Sequence, residues 1–224
     1  MSRPSERSSL DHGASRVARS ITRSVLAVLL IGGGALGARA SETELSGREG
    51  HPADRLPLRV WAQRFDDAGL DGAVARALAD WNALFADALG VRAFAPVERR
   101  DAAQVTLDVV SGDASGLMGQ TRLTADDAGV IAVPVRIEVV EPRARGQTSR
   151  ETVLYQVVAH ELGHALGLPH VRDPRSLMCC VRGSIDFEDA ATREAYIEAR
   201  RHPDVRSVRA QLEAQYTRFW QGRR

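Results

Sequence analysis

The chain has 224 residues, which is enough for one domain with a sizeable core and short for two. Its 30 Lys and Arg residues against 29 Asp and Glu residues give a net charge of +1. This balance excludes a strongly basic chain of the kind that binds nucleic acid, so we expect no nucleic-acid partner.

The first 40 residues have the pattern of a signal peptide. Several arginines precede an apolar run over residues 25–36, and residues 38–40 form an A-x-A-like cleavage site. We expect cleavage there, export to the periplasm or the extracellular space, and a flexible mature N-terminus over residues 41–55. A membrane anchor is the alternative, although the apolar run is short and glycine-rich for a span.

Apolar periodicity predicts several strands and one long helix in the next part of the chain. The strands are predicted over residues 56–63, 91–97, 103–110 and 131–140. The helix is predicted over residues 67–89 and ends at Gly90. Residues 116–123 form either a further short strand or an ordinary loop.

Two further helices are predicted before Pro203. The capping box Thr148-Ser149-Arg150-Glu151 indicates the start of a helix that runs to about residue 166. A later helix is predicted over residues 187–200, with Asp186 or Ser184 as its cap.

Residues 203–224 are predicted to contain an amphipathic helix with one apolar stripe. The stripe consists of Val205, Val208, Leu212, Tyr216 and Phe219. We expect this helix to pack on a single domain spanning residues 56–202. Arginines on the same segment leave contact with a membrane or a partner as the alternative.

The most specific motif is HExxHxxGxxH, which runs from His160 to His170. His160 and His164 lie four residues apart, so on a helix both rings leave the same face. Zinc prefers a tetrahedral shell of nitrogen or sulfur ligands, and a catalytic site leaves one position for water. We therefore predict His160, His164 and His170 as ligands of one zinc ion, with Glu161 as the general base.

The spacing of the third histidine requires the helix to end soon after His164. Gly167 accepts a left-handed conformation at low cost, and Pro169 prevents the helix from resuming. His170 can then return to the same ion.

The motif, followed by Ser176-Leu177-Met178, resembles the metzincin metallopeptidases, and among them most closely the matrixins. The resemblance implies an α+β fold with a twisted mixed sheet of about five strands, an active-site helix, a Met-turn and C-terminal helices. It assigns Gly167 to the turn before the third ligand and Met178 to the Met-turn. It also implies a secreted zinc metalloendopeptidase of the bacterial type, which acts on protein or peptide substrates.

In metzincins a short edge strand at the cleft rim runs antiparallel to its neighbours and pairs with the bound peptide. Residues 116–123 are the candidate for this strand.

The chain departs from the matrixin pattern directly after Met178. Matrixins usually continue with a Pro-x-Tyr wall of the S1′ pocket, whereas this chain continues Cys179-Cys180-Val181-Arg182. The absence of a tyrosine there disfavours the astacin and serralysin branches. The sequence also lacks a Pro-Arg-Cys-Gly segment, so latency through a cysteine switch is not supported.

The metal content is predicted to be a single catalytic zinc. No histidine lies between His51 and His160, where a second, structural zinc of the matrixin type would need ligands. A calcium ion at Asp113, Asp126 and Asp127 is an alternative to the favoured interpretation of solvated loop carboxylates.

The two cysteines are adjacent, so a long-range disulfide within the chain is excluded. We favour two small, partly buried side chains beside the Met-turn. A vicinal disulfide, an intermolecular bridge and a thiolate that reaches the metal stay as alternatives.

Two other functions remain open: a zinc-binding module without catalysis, and a narrow hydrolase of cell-wall peptides. In each case we expect a monomer.

Overall fold

The computed structural model describes residues 45–111, 117–144 and 146–222. The predicted signal peptide over residues 1–40 and the candidate calcium ligand Asp113 lie outside the described residues.

Alternating apolar residues direct one face of each strand into the core and build a mixed sheet. The strands are β1 (Leu58–Ala62), β2 (Phe94–Pro96), β3 (Val105–Val110), β4 (Gly119–Arg122) and β5 (Val135–Val140). The 5 strands lie in the order β2-β1-β3-β5-β4, so β4 is an edge strand. It pairs antiparallel to β5, whereas the other pairs are parallel. The predicted α+β class with a mixed sheet is confirmed.

Two strands are shorter than their sequence patterns predict. The strand predicted from residue 131 begins at Val135, because Pro134 has no N–H to donate to a ladder. Ile131 instead forms an isolated bridge with Ala125. The strand predicted over residues 91–97 is limited to Phe94–Pro96, the three residues that pair with β1.

The first two helices pack together and contribute a large share of the core. Helix α1 (Ala68–Leu89) is capped by Asp67 and ends at Gly90, which has a φ of 74°. Helix α2 (Arg150–Ala165) packs along α1 and against β4 and β5. The Trp81 indole N–H of α1 donates to the Ala159 carbonyl of α2 at 2.9 Å, which fixes the two helices in register.

The cap of α2 differs from the prediction by one residue. Ser149, rather than Thr148, accepts the hydrogen bond from the Thr152 N–H. Both residues have a hydroxyl of the right kind, and the sequence pattern alone does not distinguish them.

The C-terminal helices are α3 (Ala190–Arg201) and α4 (Arg209–Gln221). Helix α3 begins three residues later than predicted, with Asp189 as its cap instead of Asp186 or Ser184. The predicted last helix divides into a 3₁₀ turn, Val205–Val208, and α4. All five residues of the predicted stripe are buried, and Tyr216 packs edge-on against Phe85 of α1. Within the described residues, none of the helices combines the length and apolarity needed to cross a membrane.

Residues 45–55, expected from their polar composition to be flexible, instead contact the domain. Gly50 bridges to Val130, and His51 is fully buried. The His51 ring donates to the Ala165 carbonyl at 2.9 Å, at the end of α2. Backbone carbonyls of this segment also accept bonds from α4, an interaction that composition does not reveal.

Candidate active site

Three imidazoles converge at the C-terminal end of α2. His160 and His164 leave one face of the helix, and His170 approaches from the following turn. The three Nε2 atoms lie 3.1 Å from one another. Within the described residues, this is the one group of three or more potential ligands that converges.

The spacing of these nitrogens fits a zinc ion. Tetrahedral coordination at about 2.0–2.1 Å separates two ligand nitrogens by roughly 3.4 Å. The observed 3.1 Å is close to that value, so the rings need to move little to hold the metal. Three nitrogen ligands also leave one tetrahedral position for water, as a catalytic site requires.

Hydrogen bonds to backbone carbonyls fix two of the rings. The Nδ1 atom of His160 lies 2.8 Å from the Leu177 carbonyl, and that of His164 lies 2.8 Å from the Leu168 carbonyl. A carbonyl can only accept, so Nδ1 carries the proton in each ring and Nε2 presents its lone pair.

Burial favours the uncharged form of both rings, which is the form that binds metal. It lowers the pKa of His160 to about 4. For His164, burial is again the largest cause, and the neighbouring imidazoles add to it, so its pKa lies well below the ordinary value.

The turn at Gly167 delivers the third ligand. Gly167 has a φ of 89°, and its N–H donates to the His164 carbonyl at 2.8 Å. A Cβ at this position would lie 2.5 Å from the Glu49 carbonyl oxygen. Two features therefore require glycine at this position: the left-handed backbone conformation and the close approach of the N-terminal segment.

Met178 lies directly under the helix that carries the ligands. Its side chain is fully buried, and its sulfur packs where Gly163 leaves room. The Val171 N–H donates to the Met178 carbonyl at 3.0 Å, and Val171 also bridges to Cys179. These bonds tie the segment after His170 to the Met-turn.

Glu161 is buried next to the ligands and is held by the edge strand. The Thr121 hydroxyl of β4 lies 2.7 Å from Glu161 Oε2, to which it donates. Gly119 of the same strand leaves room for this carboxylate, since a Cβ there would lie 2.8 Å from Oε1. Both residues belong to the segment 116–123 that was predicted as the edge strand at the cleft rim, but their contacts with Glu161 were not predicted, because Thr121 and Glu161 lie 40 positions apart along the chain.

The active-site cleft is a cavity of about 450 Å³, and His160, Glu161 and His170 lie in its lining. Leu117, Met118 and Gly119 form one rim, and α2 forms the floor. The opposite wall combines Cys179 with two residues of α3, Tyr196 and Arg200. The sequence motifs did not indicate the two α3 residues.

Cys179 and Cys180 are joined by a disulfide. The favoured expectation of two separate thiols is therefore wrong, and the vicinal-disulfide alternative is the one that the structure contains. Adjacency in sequence brings the two sulfurs within reach of each other, and Cys179 places this pair at the cleft wall.

The structure gives no support for calcium at the described acidic residues. The Asp126 carboxylate accepts the Val130 N–H at 2.7 Å and so stabilises a turn. Asp127 is exposed. Solvated loop carboxylates stay the favoured interpretation, and a calcium site stays the untested alternative.

Comparison with family models matches residues 62–192 to the family described as Matrixin. The match covers more than half of the chain and includes the three histidines, Glu161 and Met178. No curated protein matches the chain.

Proposed function

This chain belongs to the matrixin family of zinc metallopeptidases, and on that premise we propose that it is an exported metalloendopeptidase that hydrolyses internal peptide bonds. The observation that carries the proposal is the convergence of three Nε2 atoms at 3.1 Å beside the buried Glu161.

The chain's own residues have distinct roles in this reaction. His160, His164 and His170 would hold the zinc, which lowers the pKa of a bound water and polarises a carbonyl. Glu161 accepts the proton of the attacking water and later donates it to the leaving amine. Thr121 keeps the Glu161 carboxylate in place for both transfers.

An extended peptide would bind along β4. The strand lies at the edge of the sheet, and the Leu117–Gly119 stretch before and at its start lines the cleft. An edge strand offers backbone donors and acceptors to a substrate in the extended conformation. This mode binds peptides through their backbone and leaves selectivity to the side-chain pockets.

Export is supported by the sequence of residues 1–40 alone, with its basic start, apolar run and A-x-A-like end. Mass spectrometry of the N-terminus of the protein recovered from the medium or periplasm tests this part. A mature chain that starts near residue 41 is expected, and an uncleaved chain in the membrane fraction would contradict it.

Hydrolysis is tested with unfolded casein. We expect cleavage by the purified chain, loss of cleavage after treatment with a zinc chelator, and recovery on addition of zinc. Cleavage that persists in the metal-free protein would contradict the proposal. Cleavage of cell-wall peptides without cleavage of casein would favour the narrow hydrolase.

A further inference from the structure

The cleft contains a cation that the catalytic mechanism does not use. Arg200 of α3 lines the same cavity as His160, Glu161 and His170. It forms the wall with Tyr196 and Cys179, at the place where the sequence departs from the matrixin S1′ wall. The Arg200 side chain is half-buried.

The guanidinium is held in place by neutral groups. It donates to the Cys179 carbonyl at 3.1 Å and to the Pro174 carbonyl at 3.4 Å. Its carbon lies 4.2 Å from the centre of the Tyr196 ring. These contacts fix the position of the group without neutralising its charge.

Among the described residues, no carboxylate oxygen lies within 4.0 Å of an Arg200 nitrogen, the distance that defines an ion pair. Among the described residues that line the cleft, Glu161 is the one acid, and Thr121 already binds its carboxylate. Arg100, by contrast, forms an ion pair with Asp108 at 2.6 Å. Arg200 is thus a positioned cation that faces the substrate space.

A guanidinium has five N–H donors. In Arg200 the carbonyls of Cys179 and Pro174 and, at 3.9 Å, the Cys180 sulfur occupy only some of them. A carboxylate is the ligand that matches the positive charge of the group and can accept from its remaining N–H donors. A structural role for Arg200, which is to hold the loop after Met178, explains the two carbonyl bonds. It does not explain why a charged group is placed at the wall of the cleft.

We propose that Arg200 makes this cleft selective for substrates with a carboxylate beside the scissile bond. The carboxylate is either the side chain of Asp or Glu or the C-terminal carboxylate of a short peptide. This inference rests on the proposed peptidase function, since it assigns a substrate class to the same site.

The test uses binding, so that it does not depend on turnover. Two peptide hydroxamates that differ only in a Glu or a Gln side chain next to the hydroxamate are titrated into the zinc-loaded full chain by calorimetry. A second pair ends in a free carboxylate or an amide and distinguishes the two sources. We expect the carboxylate form of at least one pair to bind about 10-fold more tightly, because a charge-assisted bond is formed.

The variants Arg200→Gln and Arg200→Lys decide whether Arg200 is the cause. Arg200→Gln should abolish the preference, while Arg200→Lys, which keeps the charge and loses the fork, should retain part of it. Arg201→Gln removes an exposed charge from the neighbouring position of α3 and should leave the preference unchanged. Circular dichroism and zinc content establish that each variant is folded.

A purely structural role for Arg200 would make a variant bind both members of a pair more weakly by the same factor. A selective role would weaken the binding of the carboxylate form more than that of its neutral partner. Equal weakening, or no preference in the unmodified chain, would overturn the inference. Casein cleavage is measured on the same samples. Cleavage without a preference contradicts this inference alone, and a preference without cleavage contradicts the proposed function alone.

Discussion

The contact between Gly163 and Met178 allows a quantitative prediction for Gly163→Ala. The substitution has two effects of opposite sign on stability: a gain in helix propensity and a steric clash. Replacing glycine by alanine inside a helix stabilises it by about 0.8–1.0 kcal/mol. At Gly163, however, the added Cβ would collide with the Met178 sulfur and lie 3.2 Å from both Met178 Cε and Trp81 Cζ2. Overpacking of this kind costs about 1–3 kcal/mol. The difference of the two terms predicts that Gly163→Ala destabilises the chain by about 0–2 kcal/mol, instead of stabilising it.

Gly72 in α1 is the matched control. A Cβ there meets nothing within 4 Å, and the residue is exposed. Gly72→Ala should therefore stabilise the chain by up to about 1 kcal/mol. Urea unfolding of the metal-free proteins measures both changes without a contribution from zinc binding.

The collision should also reach the metal site. Displacing Met178 disturbs the adjacent Leu177 carbonyl, which accepts the His160 Nδ1–H at 2.8 Å. Loss of such support typically weakens metal binding by about 10- to 100-fold. Competition with a coloured zinc chelator measures the change. If Gly163→Ala were as stabilising as Gly72→Ala and bound zinc normally, the assigned packing of Met178 against α2 would be refuted.

The other predictions concern Thr121, His51 and the effect of zinc. Thr121→Val should lower kcat on a casein-derived peptide by about 10-fold without changing zinc content, because the Glu161 carboxylate loses the hydrogen bond from Thr121. Thr121→Ser keeps the hydroxyl and should keep kcat near that of the unmodified chain. Equal kinetics for both variants would contradict the positioning role. Burial lowers the pKa of His51 to about 4, so the unfolded chain binds an extra proton between about pH 4 and 6.5, and stability falls as the pH decreases through that window. The loss of stability that comes from His51 is at most about 3.4 kcal/mol. His51→Gln should make the pH dependence of chemical unfolding less steep, and an unchanged slope would contradict a contribution from His51. Zinc should raise the unfolding temperature in proportion to the logarithm of its free concentration, as measured by calorimetry, and His164→Ala should abolish the shift.

The sequence is most informative where the geometry is local. The HExxHxxGxxH spacing places two rings on one helical face and a glycine at the reversal, and the structure brings the three rings together as this geometry requires. The apolar alternation and helical spacing likewise predicted the strands and the first core helix, and the capping box predicted the second. The mixed arrangement of the sheet was implied by the resemblance to metzincins. These features depend on neighbours within a few residues, so a single sequence contains the necessary information.

The sequence is least informative where contacts join distant segments. Thr121 approaches Glu161, and Arg200 reaches the cleft wall, only because the sheet and α3 pack on α2. The same reason explains residues 45–55, whose polar composition suggested flexibility although His51 is anchored to Ala165. The prediction of the helix cap was wrong for a different reason. Thr148 and Ser149 offer equivalent hydroxyls, and only the backbone geometry selects one of them.

The central claim is that His160, His164 and His170 hold one zinc ion and that Glu161 activates its water. The most direct measurement determines zinc content and casein cleavage side by side for the unmodified chain and for Glu161→Gln. We predict about one zinc per chain in both proteins and cleavage only in the unmodified one. Cleavage retained in Glu161→Gln, or an unmodified chain without zinc, would contradict the account.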